Sequence, residues 1–158
     1  ASCASGVTPD GRAFEDALTA VCGDLARQLI SDAEGASKDI AVAVSGAHSV
    51  GDALDVARAV TRSNLLKCAI HGEDPNWGRV LSAVGTTSAA FEPDRVDVAI
   101  NGIWVCRSGS IGDDRALVDL SGREVRIDVA LNAGRHDATV WTNDLTADYV
   151  HENSAYAT

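Results

Sequence analysis

Phe14, Leu18, Val21, Cys22, Leu25 and Leu29 recur three or four residues apart, the period of one helix face, and predict an amphipathic helix from about Ala13 to Ala33 that stops near Gly35. The period then drops to two. Ile40, Val42 and Val44 alternate with small residues between Lys38 and Gly46, as in a strand with one buried face. Ser49-x-x-Asp52 resembles a capping box with Asp in place of the usual Glu, and it opens a second helix to about Arg62 carrying Val50, Leu54, Ala57 and Val60. Asn64 to Ile70 fits a short strand or a further helical turn, strand being the preferred reading. Asp74-Pro75 reads as an N-cap followed by proline at the first helical position, starting a helix from about Pro75 to Val84 that Gly85 closes. Arg95 to Ile100 and Ile103 to Arg107 flank Asn101-Gly102, a strong hairpin signal. Glu124 to Leu131 and Ala138 to Thr142 predict a second hairpin around Asn132-Ala133-Gly134, with Val125, Ile127, Val129 and Leu131 on one face. A last helix from about Leu145 to Glu152 precedes an irregular tail.

This order of elements predicts one α/β domain over residues 1–158, a mixed sheet with packed helices and no internal linker. The length of 158 residues and an apolar share of 46% suit a domain with a real core. No apolar run approaches the roughly 18 residues a membrane span needs, so no membrane association is expected. A net charge of −10 argues against a nucleic-acid partner, because a polyanion selects a basic surface. Cys3, Cys22, Cys68 and Cys106 lack metal or redox spacing, and His48, His71, His136 and His151 are equally dispersed. No metal site is expected, and reduced, mostly buried thiols in a cytoplasmic protein are the default.

The segment from Leu66 to Gly85, with its core Asp74-Pro75-Asn76-Trp77-Gly78-Arg79, resembles the L-V-K-T-A-x-x-G-x-D-P-N-W-G-R signature of the ornithine acetyltransferases, the bifunctional glutamate N-acetyltransferases of arginine biosynthesis. Cys68 stands where that pattern has Thr. Asp32-Ala33-Glu34-Gly35-Ala36-Ser37-Lys38 is similar to the family's D-G/A-E-G-A-x-K, and the stretch from Asp144 to Thr158 resembles its C-terminal D-L-T-x-x-Y-V-x-x-N-S-x-Y-x-T.

The resemblance implies transfer of acetyl from N-acetylornithine to glutamate through an acetyl-threonine intermediate. Members cleave themselves before that threonine, within K-G-x-G-M-x-x-P-x-x-A-T, and it becomes the N-terminal nucleophile of a β chain. These 158 residues contain no such segment, and Ala1-Ser2-Cys3-Ala4-Ser5-Gly6 resembles an L-A-S-G-A-S stretch beyond the nucleophile. The expectation is therefore the C-terminal part of a β chain, holding no catalytic residue of its own and inactive alone. It would belong to a layered α/β sandwich completed by an α chain and an upstream β-chain segment in a heterotetramer. No cofactor is implied, with acetyl-coenzyme A left open as an alternative donor.

The residues alone read Glu34 as a solvated carboxylate at an unfavourable helix C-terminus, and Asn153 and Thr158 as part of a frayed end. By resemblance all three, Glu34, Asn153 and Thr158, bind substrate, which requires a docked tail with Tyr149, Val150 and Tyr156 as candidate anchors. Asp74, Asn76, Trp77 and Arg79 are read as a capped helix start, a packed Trp and an Arg held by a carboxylate. Lys67 reads equally as a buried ion-pair partner or a solvated side chain. Cys68 and His71 show no third residue to orient them as nucleophile and base, and an alternative reading of the chain is a non-catalytic interaction module of the same fold.

Overall fold

The computed structural model describes residues 4–8 and 10–155. The chain separates into two compact units, residues 1–32 and 33–158. The first consists mainly of helix α1, Gly11–Ser31, whose N-terminus is capped by the Asp10 carboxylate accepting from the Arg12 amide. Its predicted apolar stripe is present but exposed: Phe14, Leu18, Val21, Leu25 and Leu29 form no buried face within the unit.

The second unit is built on a sheet of β1 (Asp39–Ala47), β2 (Asp97–Ile100), β3 (Ile103–Arg107), β4 (Ser110–Ile111), β5 (Glu124–Ala130) and β6 (His136–Asn143), in the order β4-β3-β2-β5-β1-β6. Only β1 and β5 run parallel. Register puts Ile40 beside Val125, Val42 beside Ile127 and Val140, and Val44 beside Val129 and Ala138, all on one face. That face packs with α2 (Val50–Arg62), α3 (Asn64–His71) and α4 (Trp77–Val84) into a single core. A last helix, α5, spans Ala147–Ala155.

Four expectations change. Asn64 to Ile70 is helix α3 and not a strand: the Ser63 hydroxyl caps the Leu66 amide at 3.3 Å, and Leu66, Ala69 and Ile70 bury at helical spacing. The second hairpin does not exist, because β1 lies between β5 and β6 and pairs with both. The Asn132-Ala133-Gly134 turn instead passes over the end of β1, where the amides of Ala133 and Gly134 both donate to the Gly46 carbonyl. Helix α4 starts later than expected, with Asn76 as its cap accepting from the Arg79 amide at 3.2 Å, while Asp74 takes the Asn76 side-chain amide at 3.0 Å. In α2 the buried face is Ala53, Val56, Ala57 and Val60, and Val50 is exposed. The Asn101-Gly102 hairpin forms as expected between β2 and β3, both residues taking positive φ, 47° and 83°, as a type I′ turn demands.

Candidate functional site

The N-terminal end of β1, the C-terminal end of β6 and the last turn of α3 meet at one end of the sheet. The segment leading into β1 begins with a turn over Ala33-Glu34-Gly35-Ala36, closed by the Ala36 amide on the Ala33 carbonyl at 3.1 Å. Gly35 has φ +74°, a conformation that disfavours any side chain. Glu34 sits exposed in this turn, beyond the last residue of α1, Ser31.

The turn is held against the start of α5. Thr146, 4% exposed, donates its hydroxyl to the Gly35 carbonyl at 2.6 Å and accepts the Tyr149 amide at 2.9 Å, so one side chain caps the helix and ties it to the turn. A Cβ on Gly35 would fall 2.5 Å from the Tyr149 nitrogen. Tyr149 and Val150, expected as apolar anchors, are instead 42% and 52% exposed. The helix docks here through its backbone.

Beneath the turn lies a polar cluster centred on the buried Asp144 side chain. The Asp144 carboxylate accepts the amides of Ser37 and Lys38, both at 2.9 Å, together with the Ser37 hydroxyl, and it meets His71 Nδ1 at 3.0 Å. Burial opposes ionisation of Asp144, but the Ser37 hydroxyl, the two backbone amides and the His71 ring outweigh it and hold the carboxyl below its ordinary range. Lys38, also buried, points its ammonium at Glu73 Oε1 (3.1 Å) and at the carbonyls of Leu120, Ser121 and Gly122. Glu73 closes α3 at φ 54°, its amide on Ile70 and that of Asp74 on Ala69, the two bonds of a Schellman cap usually built with glycine. Alongside, Arg123 grips Asp39 with two bonds of 3.0 and 3.1 Å, and Asn143 donates to the same carboxylate.

Ser, His and Asp meet here, yet the cluster is not a nucleophilic relay. A relay uses the two imidazole nitrogens separately, one for the serine and one for the carboxylate. Ser37 Oγ and Asp144 Oδ2 both face Nδ1, so the arrangement fixes chain segments in place. Cys68 is exposed on α3, and Asp144, which does orient His71, lies 73 residues further on. Of the described cysteines Cys22 and Cys68 are exposed and only Cys106 is buried, contrary to expectation.

Asn153 lies exposed on α5, its amide donating to the Tyr149 carbonyl at 2.8 Å. Thr158 and Tyr156 lie outside the described residues. In the D-P-N-W-G-R segment, Trp77 packs against the core, Arg79 donates to the Leu65 carbonyl in place of a carboxylate, and Asp74 lies 3.8 Å from Arg115. Lys67 is half-buried, and its carbonyl accepts the Leu145 amide. At the other end of the sheet a cleft of about 260 Å³ is lined by His48, Phe91, Glu92, Arg95 and Asn132 among others. Among the described residues no helix is long and apolar enough to cross a membrane, and no group of three His, Cys, Asp or Glu could hold a metal ion.

The model of the ArgJ family matches residues 1–158. The chain belongs to the ArgJ family. Over 157 residues it is 66% identical to the arginine biosynthesis bifunctional protein ArgJ of Streptomyces avermitilis, covering 99% of this chain and 41% of that protein. The protein of the same name from Thermobifida fusca is 65% identical over 158 residues, with 100% and 41% covered. The crystal structure of the Bacillus halodurans ArgJ superimposes with a TM-score of 0.85 at 36% identity, over 94% of this chain and 72% of that one. The chain thus spans about two fifths of the length of the curated ArgJ relatives it matches.

Proposed function

We propose that this chain is part of an ornithine acetyltransferase that moves acetyl from N-acetylornithine to glutamate in arginine biosynthesis. The observation that carries the proposal is the match of the ArgJ family model along residues 1–158, together with the docking of the Glu34 turn on α5, the helix that bears Asn153. The chain supplies Glu34, Asn153 and Thr158 as substrate contacts. A carboxylate suits the ammonium of an amino-acid substrate through a charge-assisted bond, and a side-chain amide and hydroxyl suit its polar head group. The nucleophile is a threonine at the cleaved N-terminus of an upstream β-chain segment, activated by its own amine, and an α chain completes the oxyanion site in a cytoplasmic heterotetramer. The reaction is ping-pong: acetyl passes to the threonine, ornithine leaves, and glutamate takes acetyl from the ester.

The test is to incubate the complete assembly with N-acetylornithine and no glutamate, then to read the mass of each segment. One acetyl group is expected on the upstream threonine and none on these 158 residues. Acetyl found on this chain, or transfer by this chain alone, overturns the assignment.

A further inference from the structure

We propose that Asp144 is the positioning residue that sets the Glu34 turn against α5, so that Glu34 and Asn153 address one substrate; this rests on the reading of those two residues as substrate contacts. Glu34 itself is exposed, and no hydrogen bond of its own side chain fixes it among the described contacts. What fixes it is the segment that follows. Five hydrogen bonds join residues 35–38 to residues 144–146: the Ser37 amide, Ser37 hydroxyl and Lys38 amide to the Asp144 carboxylate, the Asp144 amide to the Lys38 carbonyl, and the Thr146 hydroxyl to the Gly35 carbonyl.

Three of the five end on one side chain that is 0% exposed. The carboxylate replaces solvent for the buried Lys38 amide, which would otherwise lack a partner, and it holds the Ser37 amide beside it. It also stands two residues before Thr146, the cap of α5, so a shift of Asp144 moves the turn and the helix start together. His71 closes the far side of the carboxylate and joins α3 to the same point. Neither Ser37, His71 nor Asp144 takes part in the acetyl-transfer step proposed above.

The experiment is a double-mutant cycle in the complete assembly, reading kcat/KM for N-acetylornithine. Asp144→Ala should lower it on the order of a hundredfold, the scale of a misplaced contact. In a Glu34→Gln background the same substitution should cost only a few-fold, because of the two contacts it misplaces only that of Asn153 remains. Asp144→Asn keeps the Oδ1 acceptor that both the Ser37 and Lys38 amides use, and it should recover most of the activity. Losses that multiply in full across the two backgrounds, or an Asn variant as impaired as Ala, overturn the proposal. Should Asp144→Ala fail to fold, Thr146→Val removes the other anchor of the clamp and must show the same coupling to Glu34. If Glu34→Gln alone leaves kcat/KM unchanged, the substrate-contact reading falls and this inference with it; if Glu34→Gln is impaired and Asp144→Ala is additive to it, this inference alone falls.

Discussion

Lys38 Nζ lies 3.1 Å from Glu73 Oε1, yet the lysine side chain is 8% exposed and the glutamate 53%. The two ends of this pair are therefore unequal. Removing Glu73 leaves the ammonium with the carbonyls of Leu120, Ser121 and Gly122, whereas removing Lys38 takes the lysine donor from all three, the carbonyl of the buried Leu120 included. Lys38→Met is expected to cost about 1–3 kcal/mol and Glu73→Gln less than about 1 kcal/mol. Urea midpoints of the two variants check this; equal losses would mean the ion pair and not the carbonyl cage holds the lysine.

Gly35→Ala should disturb the site more than any surface substitution nearby. Its φ of +74° disfavours a side chain, and the new Cβ would press on the Tyr149 backbone. The strain alone costs on the order of 1 kcal/mol or more, and relief requires α5 to move. Hydrogen exchange of the Tyr149 and Val150 amides should accelerate in the variant. Unchanged exchange would show that the turn, and not the helix, gives way.

Asp144 makes stability depend on acid. Its folded pKa is depressed below the unfolded value of about 3.9, so it contributes stability above that pH, and the contribution is lost as pH falls through the folded pKa. Asp144→Asn, less stable at neutral pH, should lose less on acidification than the natural chain, so the two stability curves converge below about pH 4. Parallel curves would place the acid sensitivity on another carboxylate.

Much of this architecture is legible in the chain because its causes are local. Ser49 caps α2, the Ile40-Val42-Val44 alternation makes β1, and Asn101-Gly102 turns the hairpin, all within a few residues. Expectation failed where a distant element decides. Insertion of β1 between β5 and β6 cannot be read from Asn132-Ala133-Gly134, which carries ordinary hairpin turn chemistry. The run through Leu65, Leu66 and Ile70 is too short for its period to separate helix from strand, and burial beside α2 and α4 settles it.

The site divides in the same way. Glu34 and Asn153 emerge only from motif resemblance, since by chemistry each is an ordinary exposed side chain. Asp144, Thr146, Ser37 and His71 were missed because their partners lie far off in sequence: Asp144 reaches Ser37 across 107 residues, and Thr146 reaches Gly35 across 111. One local signal is present in the chain. Thr146 directly precedes the helix α5, where such a side chain serves as a cap.

The tail offers a separate check. Among the described residues Asn153 bonds only its own helix, at the Tyr149 carbonyl, so Asn153→Ala should change stability little, on the order of 0.5 kcal/mol or less. Removing residues 155–158 should behave alike. Both are expected to lower kcat/KM of the complete assembly far more than stability, because a pocket built to bond polar groups discriminates strongly when those partners go. Full activity after truncation would return the C-terminal motif to a packing role.

The central claim is that Glu34 faces substrate, and steady-state acetyl transfer by the complete assembly carrying Glu34→Gln tests it most directly. Loss of one charge-assisted bond predicts a fall of about 1.5–3 kcal/mol in kcat/KM for N-acetylornithine, with the melting temperature unchanged because the side chain is exposed. A kcat/KM equal to that of the natural enzyme with both N-acetylornithine and glutamate would contradict the account and leave Glu34 a surface residue.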